Sequence, residues 1–239
     1  MNTELVAVKP PEGLATQAEA MGLEFEADDI ERLGLYLAHL FAANKQFNLT
    51  GVTEPDVAWS RHVLDSLTLL PYIASVEAKR VIDVGSGGGL PGIPLAIALP
   101  DTHFTLLEAT GKKTRFLEET AAALGLSNVA VVNNRAETAG QDPRFRATYD
   151  VAVARAVGPL RVLAEVTVPF VKESGIVLAI KGRRAEEEVA DAKQALHKLH
   201  VTVTRADRTP TGTVLVLLKT RPTPAIYPRR AGEPKRAPL

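Results

Sequence analysis

The stretch Val81-Ile-Asp-Val-Gly-Ser-Gly-Gly-Gly-Leu-Pro-Gly-Ile-Pro94 constrains the fold of this chain more than any other. A short β-branched run leads into a cluster of glycines, and Pro91 and Pro94 stand where a helix would begin. Glycine accepts positive φ freely and proline suits a first helical turn, so the spacing predicts a strand, a tight turn and a helix. The alternation continues downstream. Strands are expected at 80–84, 103–107, 129–132, 149–154 and 175–180, with helices at 92–99, 112–124, 160–171 and 185–199 between them. Strands that alternate with helices imply a parallel sheet covered on both faces. Segments 201–204 and 213–220 flank a Thr-Pro-Thr-Gly turn and read as an antiparallel hairpin added to the sheet edge. Upstream, Ile30, Leu33, Leu37, Leu40 and Phe41 fall at helical spacing, with Asp28 or Asp29 as the cap. A further helix is expected over 54–70, stopped by Pro71. The chain thus divides into a disordered N-terminus (1–12), an N-terminal helical extension (13–79), an α/β domain (80–220) and a basic, proline-rich strap (221–239).

The glycines raise the question of their ligand. A phosphate-binding P-loop needs Gly-Lys-Ser/Thr, but Gly92 is followed by Ile93 and Pro94. A dinucleotide fits better: Gly87-x-Gly89-x-x-Gly92 matches its fingerprint, and Glu108 lies about 20 residues on, where an acid would hold ribose hydroxyls. Two features count against it. A carboxylate at Asp83, at the mouth of the strand, would oppose a pyrophosphate and suit an ammonium or sulfonium group instead. Pro91 and Pro94 also remove N–H donors from the turn that a pyrophosphate would use. What remains, Asp83-x-Gly85-x-Gly87-x-Gly89, resembles the first motif of the class I S-adenosylmethionine-dependent methyltransferases, a Rossmann-like seven-stranded fold ending in an antiparallel hairpin.

Composition narrows the chemistry. There is no cysteine, which excludes disulfides, cysteine–zinc sites and methylation at pyrimidine C5 through a thiolate. The strand around 150–155 continues into Ala-Val-Gly-Pro159 and carries no Asn/Asp-Pro-Pro-aromatic motif of the kind that clamps amino acceptors. The acceptor is therefore expected to need neither deprotonation nor such a clamp. No secretory signal or membrane span is visible, so a cytoplasmic protein is expected. Net charge is zero, yet residues 1–34 hold eight acidic residues against two basic, and 205–239 hold eight basic against two acidic. Two solvated ends that attract each other, or a local phosphate-binding patch, would both account for that asymmetry.

Further matches run through the chain in order: Asn48-Leu-Thr, His62-x-x-Asp65-Ser66-Leu67, Glu108 with Lys112-Lys113, Arg135-Ala-Glu137, Arg155-Ala156, Lys181-Gly182, and Tyr227-Pro-Arg-Arg-Ala-Gly-x-Pro-x-x-x-Pro-Leu239. Together they resemble the RsmG family (glucose-inhibited division protein B), bacterial 16S ribosomal RNA guanine-N7 methyltransferases. One departure is Leu90, where the family more often has Phe. The resemblance implies methyl transfer from S-adenosylmethionine to N7 of a guanine in the decoding-region loop, without a covalent intermediate. It implies a monomer acting on 16S rRNA or the small ribosomal subunit, with no membrane and no metal. Its cofactor site would comprise Asp83, Gly85, Gly87, Gly89, Leu90, Glu108, Ala136, Glu137 and Arg155. Arg155, Lys181 and Asp83 are the candidates nearest the chemistry. His62, Lys181, Arg229, Arg230 and Lys235 are candidate RNA contacts, with Tyr227 as a stacking platform. Purely structural roles are also open. Arg155 would then bridge Asp150 or Glu165, Glu137 would pair with Arg135, and Lys181 would cap a helix. His62, Asp65 and Ser66, which share a helical face, would pin the N-terminal helices to the sheet. The rival functions are a cofactor-binding assembly factor without catalysis, and a class I methyltransferase with another acceptor.

Overall fold

The β-branched and leucine-rich runs form seven strands in the computed structural model, which describes residues 5–25 and 27–239. They are β1 (Arg80–Val84), β2 (His103–Glu108), β3 (Val129–Asn133), β4 (Tyr149–Arg155), β5 (Val171–Lys181), β6 (Val201–Arg208) and β7 (Thr213–Lys219). All join one sheet in the order β3-β2-β1-β4-β5-β7-β6. β1 to β5 are mutually parallel, and β7 runs antiparallel between β5 and β6. The order reverses beside β1, where chain crossovers leave to both sides and open a crevice at the carboxyl ends of the strands.

Strand alternation builds two apolar layers. On β1, Val81 faces the layer that holds the N-terminal helices and the helices Gly92–Ala98 and Gly111–Ala123. Ile82 and Val84 face the opposite layer, which holds the helices Leu160–Thr167 and Lys193–Leu199. The helix Ala27–Asn44 contributes Leu33, Leu37 and Leu40, all fully buried, and its Tyr36 hydroxyl donates to the carbonyl of Gly88 at 2.8 Å. The N-terminal extension therefore touches the glycine turn directly. Among the described residues no helix is long and apolar enough to cross a membrane.

Several boundaries differ from the periodicity. Asp28 and Asp29 lie inside the first helical turn instead of capping it, where they still oppose the positive end of the helix dipole. The helix expected over 54–70 is a helical turn, Pro55–Ala58, followed by a π-helical segment, Trp59–Leu64, and a further turn, Asp65–Leu67. Pro71 does not stop it; it sits in the first turn of the next helix, Leu70–Ser75, where a missing N–H costs nothing. Residues 168–171 leave the helix as a 3-10 turn containing Pro169 and enter β5. The expected disorder over 1–12 falls partly on residues 1–4, outside the described residues; within it, Val8 donates its N–H to Gly34 at 3.0 Å.

The strap is held by directed bonds. Arg146 donates to the carbonyls of Thr223 at 2.9 Å and Tyr227 at 2.7 Å, and Gln141 donates to that of Pro228 at 2.8 Å. It ends in a short helix, Glu233–Arg236, that packs against the helix Leu160–Thr167.

Candidate cofactor and substrate site

The carboxyl ends of β1, β2 and β3 converge on a cavity of about 190 Å³ whose walls include Gly85, Glu108, Ala136 and Glu137. Gly85 has φ +76°, and a Cβ there would come within 3.2 Å of Val157 Cγ2. Val157 lines the same cavity, so a side chain at position 85 would both strain the backbone and fill the space. Glu108 is buried at the end of β2. One of its oxygens accepts the Gly87 N–H at 3.0 Å and the other the Thr110 N–H at 2.8 Å. Each oxygen keeps a lone pair, so the carboxylate can shape the turn and still accept from a pair of hydroxyls. Glu137 does not pair with Arg135; its Oε1 accepts the N–H of Gly232 from the strap at 2.7 Å.

Other expected cofactor residues are not walls of this cavity. Asp83, the next-to-last residue of β1, does not open into the cavity. It is wholly buried on the face it shares with Val81, and its Oδ2 accepts the Gly92 N–H at 3.0 Å, at the start of the helix after the turn. Burial pushes its pKa up to about 7, partly offset by the Gly92 bond. Its Oδ1 is buried without a partner. Asp83 thus joins strand to helix beneath the glycine turn, and it forms no wall of the cavity. Leu90 likewise packs into the core and does not line the cavity. Gly87 and Gly89, with φ of +57° and +90°, set the backbone of the turn and do not line the cavity.

Arg155, at the end of β4, bridges neither Asp150 nor Glu165. Its guanidinium donates to the carbonyl of Arg61 at 2.7 Å, to Asp65 at 3.3 Å and to His62 Nδ1 at 3.3 Å. Because arginine only donates, His62 Nδ1 is the acceptor, and the ring proton lies on Nε2, 2.7 Å from Thr50 Oγ1. Burial and the adjacent Arg155 charge push the His62 pKa down to about 4. Asp65 also accepts from the Thr211 hydroxyl in the β6–β7 turn. Ser66 turns back onto its own helix, donating to the His62 carbonyl. His62 is therefore a buried support for Arg155 and not an exposed RNA contact.

Two more expected RNA contacts are already occupied. Lys181 is buried, pairs with Glu188 at 2.6 Å and donates to the Gly158 carbonyl at 2.7 Å. Arg229 forms a forked pair with the fully buried Glu165, at 2.7 Å through Nε and 2.6 Å through Nη2, while its own N–H donates to the same carboxylate at 3.0 Å. Arg230 is exposed. Tyr227 packs against the core layer of the helix Leu160–Thr167. Lys235 lines the cavity together with Pro234. Val157 and Pro234 carry no signal in the sequence that would have marked them as cavity walls; the strap reaches the cavity only through the fold.

Comparison with known proteins agrees with this architecture. The family model described as rRNA small subunit methyltransferase G (GidB) matches residues 29–212. The chain is 49% identical over 222 residues to the ribosomal RNA small subunit methyltransferase G of Sorangium cellulosum, covering 92% of each chain. It is 40% identical to the protein of the same name from Leuconostoc citreum, covering 91% of this chain and 94% of that one. Among solved structures, an O-methyltransferase from Bacillus cereus in complex with SAH shares the fold, with a TM-score of 0.58 at 15% identity over 86% of this chain and 97% of that one. A SAM-dependent methyltransferase from Aquifex aeolicus does so with a TM-score of 0.51 at 16% identity, over 66% of this chain and 92% of that one.

Proposed function

Because the chain belongs to the ribosomal RNA small subunit methyltransferase G family, we propose that it transfers a methyl group from S-adenosylmethionine to N7 of a guanine in the decoding-region loop of 16S rRNA. The observation that carries the reading is Glu108: a buried carboxylate facing a cavity at the carboxyl edge, anchored by two backbone N–H groups and still able to accept. It would hold the ribose hydroxyls, Ala136 and Glu137 would hold the adenine, and Gly85 would leave room for the nucleoside. S-adenosylmethionine, when bound, supplies a methyl group on a positively charged sulfur.

The chain's own residues would act by alignment. Guanine N7 is a neutral lone pair at pH 7, so no side chain has to remove a proton, and holding the acceptor in line supplies the rate. Arg155, fixed by His62, Asp65 and the Arg61 carbonyl, would keep a rigid cation at the end of β4, beside the entry for the base. The RNA backbone would lie across exposed or half-exposed cations at this edge: Lys112 and Lys113 after β2, Arg135 after β3, Arg183 after β5 and Arg61 in the π-helical segment. Among the described residues none of these five forms a salt bridge, so each is available to phosphate. N7 faces the deep, narrow major groove of A-form RNA, so a loop or an unstacked base is the accessible target.

The test is transfer of label from S-adenosylmethionine into small-subunit rRNA from cells lacking this protein, mapped by cleavage at N7-methylguanine. One labelled guanine in the decoding region is expected. Label at another atom or in another RNA would overturn the N7 assignment, and no label in rRNA or subunits would overturn the enzymatic reading.

A further inference from the structure

We infer that the C-terminal strap forms the outer wall of the cofactor cavity, and that Pro234 and the aliphatic stem of Lys235 are binding residues for the adenosyl group. This rests on the reading of the cavity as an S-adenosylmethionine site.

Pro234 and Lys235 line the same cavity as Gly85, Glu108 and Glu137, although more than 95 residues of chain separate them from any of those three. Pro234 is buried and offers an apolar ring, the kind of surface that receives the face of a purine. Lys235 is exposed, and among the described residues it forms no salt bridge. A lysine at a cavity rim can lay its methylenes along a ligand while its ammonium stays in water. The adenosyl group carries no negative charge, so the stem and not the ammonium is what the cavity would use.

Three anchors hold this wall in place. The buried Glu165 carboxylate takes Arg229, the Arg146 guanidinium donates to three strap carbonyls, and Glu137 takes the N–H of Gly232. Glu137 is the joint: one oxygen holds the strap, and the other has no hydrogen-bond partner among the described residues and can accept from the exocyclic amine of adenine. A wall ordered in advance loses little entropy when the ligand arrives. The strap is therefore part of the cofactor site, in contrast to the RNA-contacting role its charge suggests.

S-adenosylhomocysteine binding by calorimetry and binding of unmodified 16S rRNA fragments should be measured on the full chain and on Pro234→Ala, Lys235→Ala and Lys235→Met. Pro234→Ala and Lys235→Ala should each weaken S-adenosylhomocysteine binding by about three- to ten-fold, with RNA affinity unchanged. Lys235→Met, which keeps the stem, should bind close to the unaltered protein. S-adenosylhomocysteine should also slow tryptic cleavage after Arg230, Lys235 and Arg236. Lys235 is exposed, so its variants test the idea even if Pro234→Ala folds poorly. Unchanged S-adenosylhomocysteine affinity in Pro234→Ala and Lys235→Ala would overturn the inference, and RNA affinity lost equally in Lys235→Ala and Lys235→Met would then return the strap to RNA. If the unaltered protein does not bind S-adenosylhomocysteine, the cofactor reading fails, and the inference with it.

Discussion

Asp83 and Glu108 are both acids near the carboxyl ends of adjacent strands, yet they do different work. Asp83 shares a face with Val81 and lies under a helix; Glu108 is the last residue of β2, where the sheet ends and the turns open. The period of two along β1 already places Asp83 with Val81, so its burial was legible in the sequence once the covering helix is allowed for. Gly92 explains that burial from the other side. A Cβ there would meet Leu106 Cδ2 at 2.3 Å and Asp83 Oδ2 at 2.7 Å, so glycine is what lets the helix sit on the strand. His62 makes a pH prediction. Its folded pKa is pushed down to about 4, and an unfolded histidine titrates near 6.5. Between those values the unfolded chain holds the extra proton, so the stability His62 contributes is complete above 6.5 and is lost progressively as pH falls from 6.5 to 4. The loss by pH 5 should be on the order of 2 kcal/mol. Urea unfolding at pH 7 and pH 5 should show a larger drop for the unaltered protein than for His62→Asn, and equal drops would remove His62 as the source.

The helix Leu160–Thr167 shows how an element's role depends on what is laid over it. Its buried Glu165 would be an uncompensated charge without Arg229, which arrives from the strap 64 residues later. Arg229→Ala should therefore destabilise the fold by roughly 3–5 kcal/mol, because breaking a buried pair leaves the other charge stranded. Arg230→Ala, at an exposed position, should leave stability nearly unchanged. Denaturant midpoints of the two variants separate these cases, and equal midpoints would mean that the Arg229–Glu165 pair does not anchor the strap. The N-terminal extension is similar. Its helical spacing was readable, but the π-helical segment Trp59–Leu64 was not, and it is this segment's Arg61 carbonyl and His62 side chain that fix Arg155.

At the scale of the whole molecule, a net charge of zero conceals an edge whose cations form no salt bridge among the described residues. The C-terminal arginines that make the composition look basic are partly neutralised: Arg205 by Asp207, Arg208 by Glu186 and Arg229 by Glu165. Among the described residues, further cations without a salt bridge lie after β2, β3 and β5, where parallel strands deliver all their carboxyl ends to one side. If Lys112 and Lys113 each contact a phosphate, Lys112→Ala and Lys113→Ala should each flatten log affinity against log salt by about 0.7–0.9. That is measured as rRNA binding across a salt series with S-adenosylhomocysteine affinity as the control; unchanged slopes would remove this edge from the RNA interface. The amino-acid sequence by itself determined the order of strands and helices, the glycine turn, the acid ending β2 and the family, because propensity, periodicity and turn chemistry act over a few neighbouring residues. Only the tertiary structure decided which charges pair and what closes the cavity. Asp150 and Glu165 looked equally good partners for Arg155, but Asp150 lies at the other end of β4, roughly 17 Å away at strand rise. There it holds Lys172, while Asp65, 90 residues earlier, meets Arg155. Opposite charges offer many pairings along a chain, and only folding brings particular ones within the few ångströms at which Coulomb attraction and hydrogen bonding select among them.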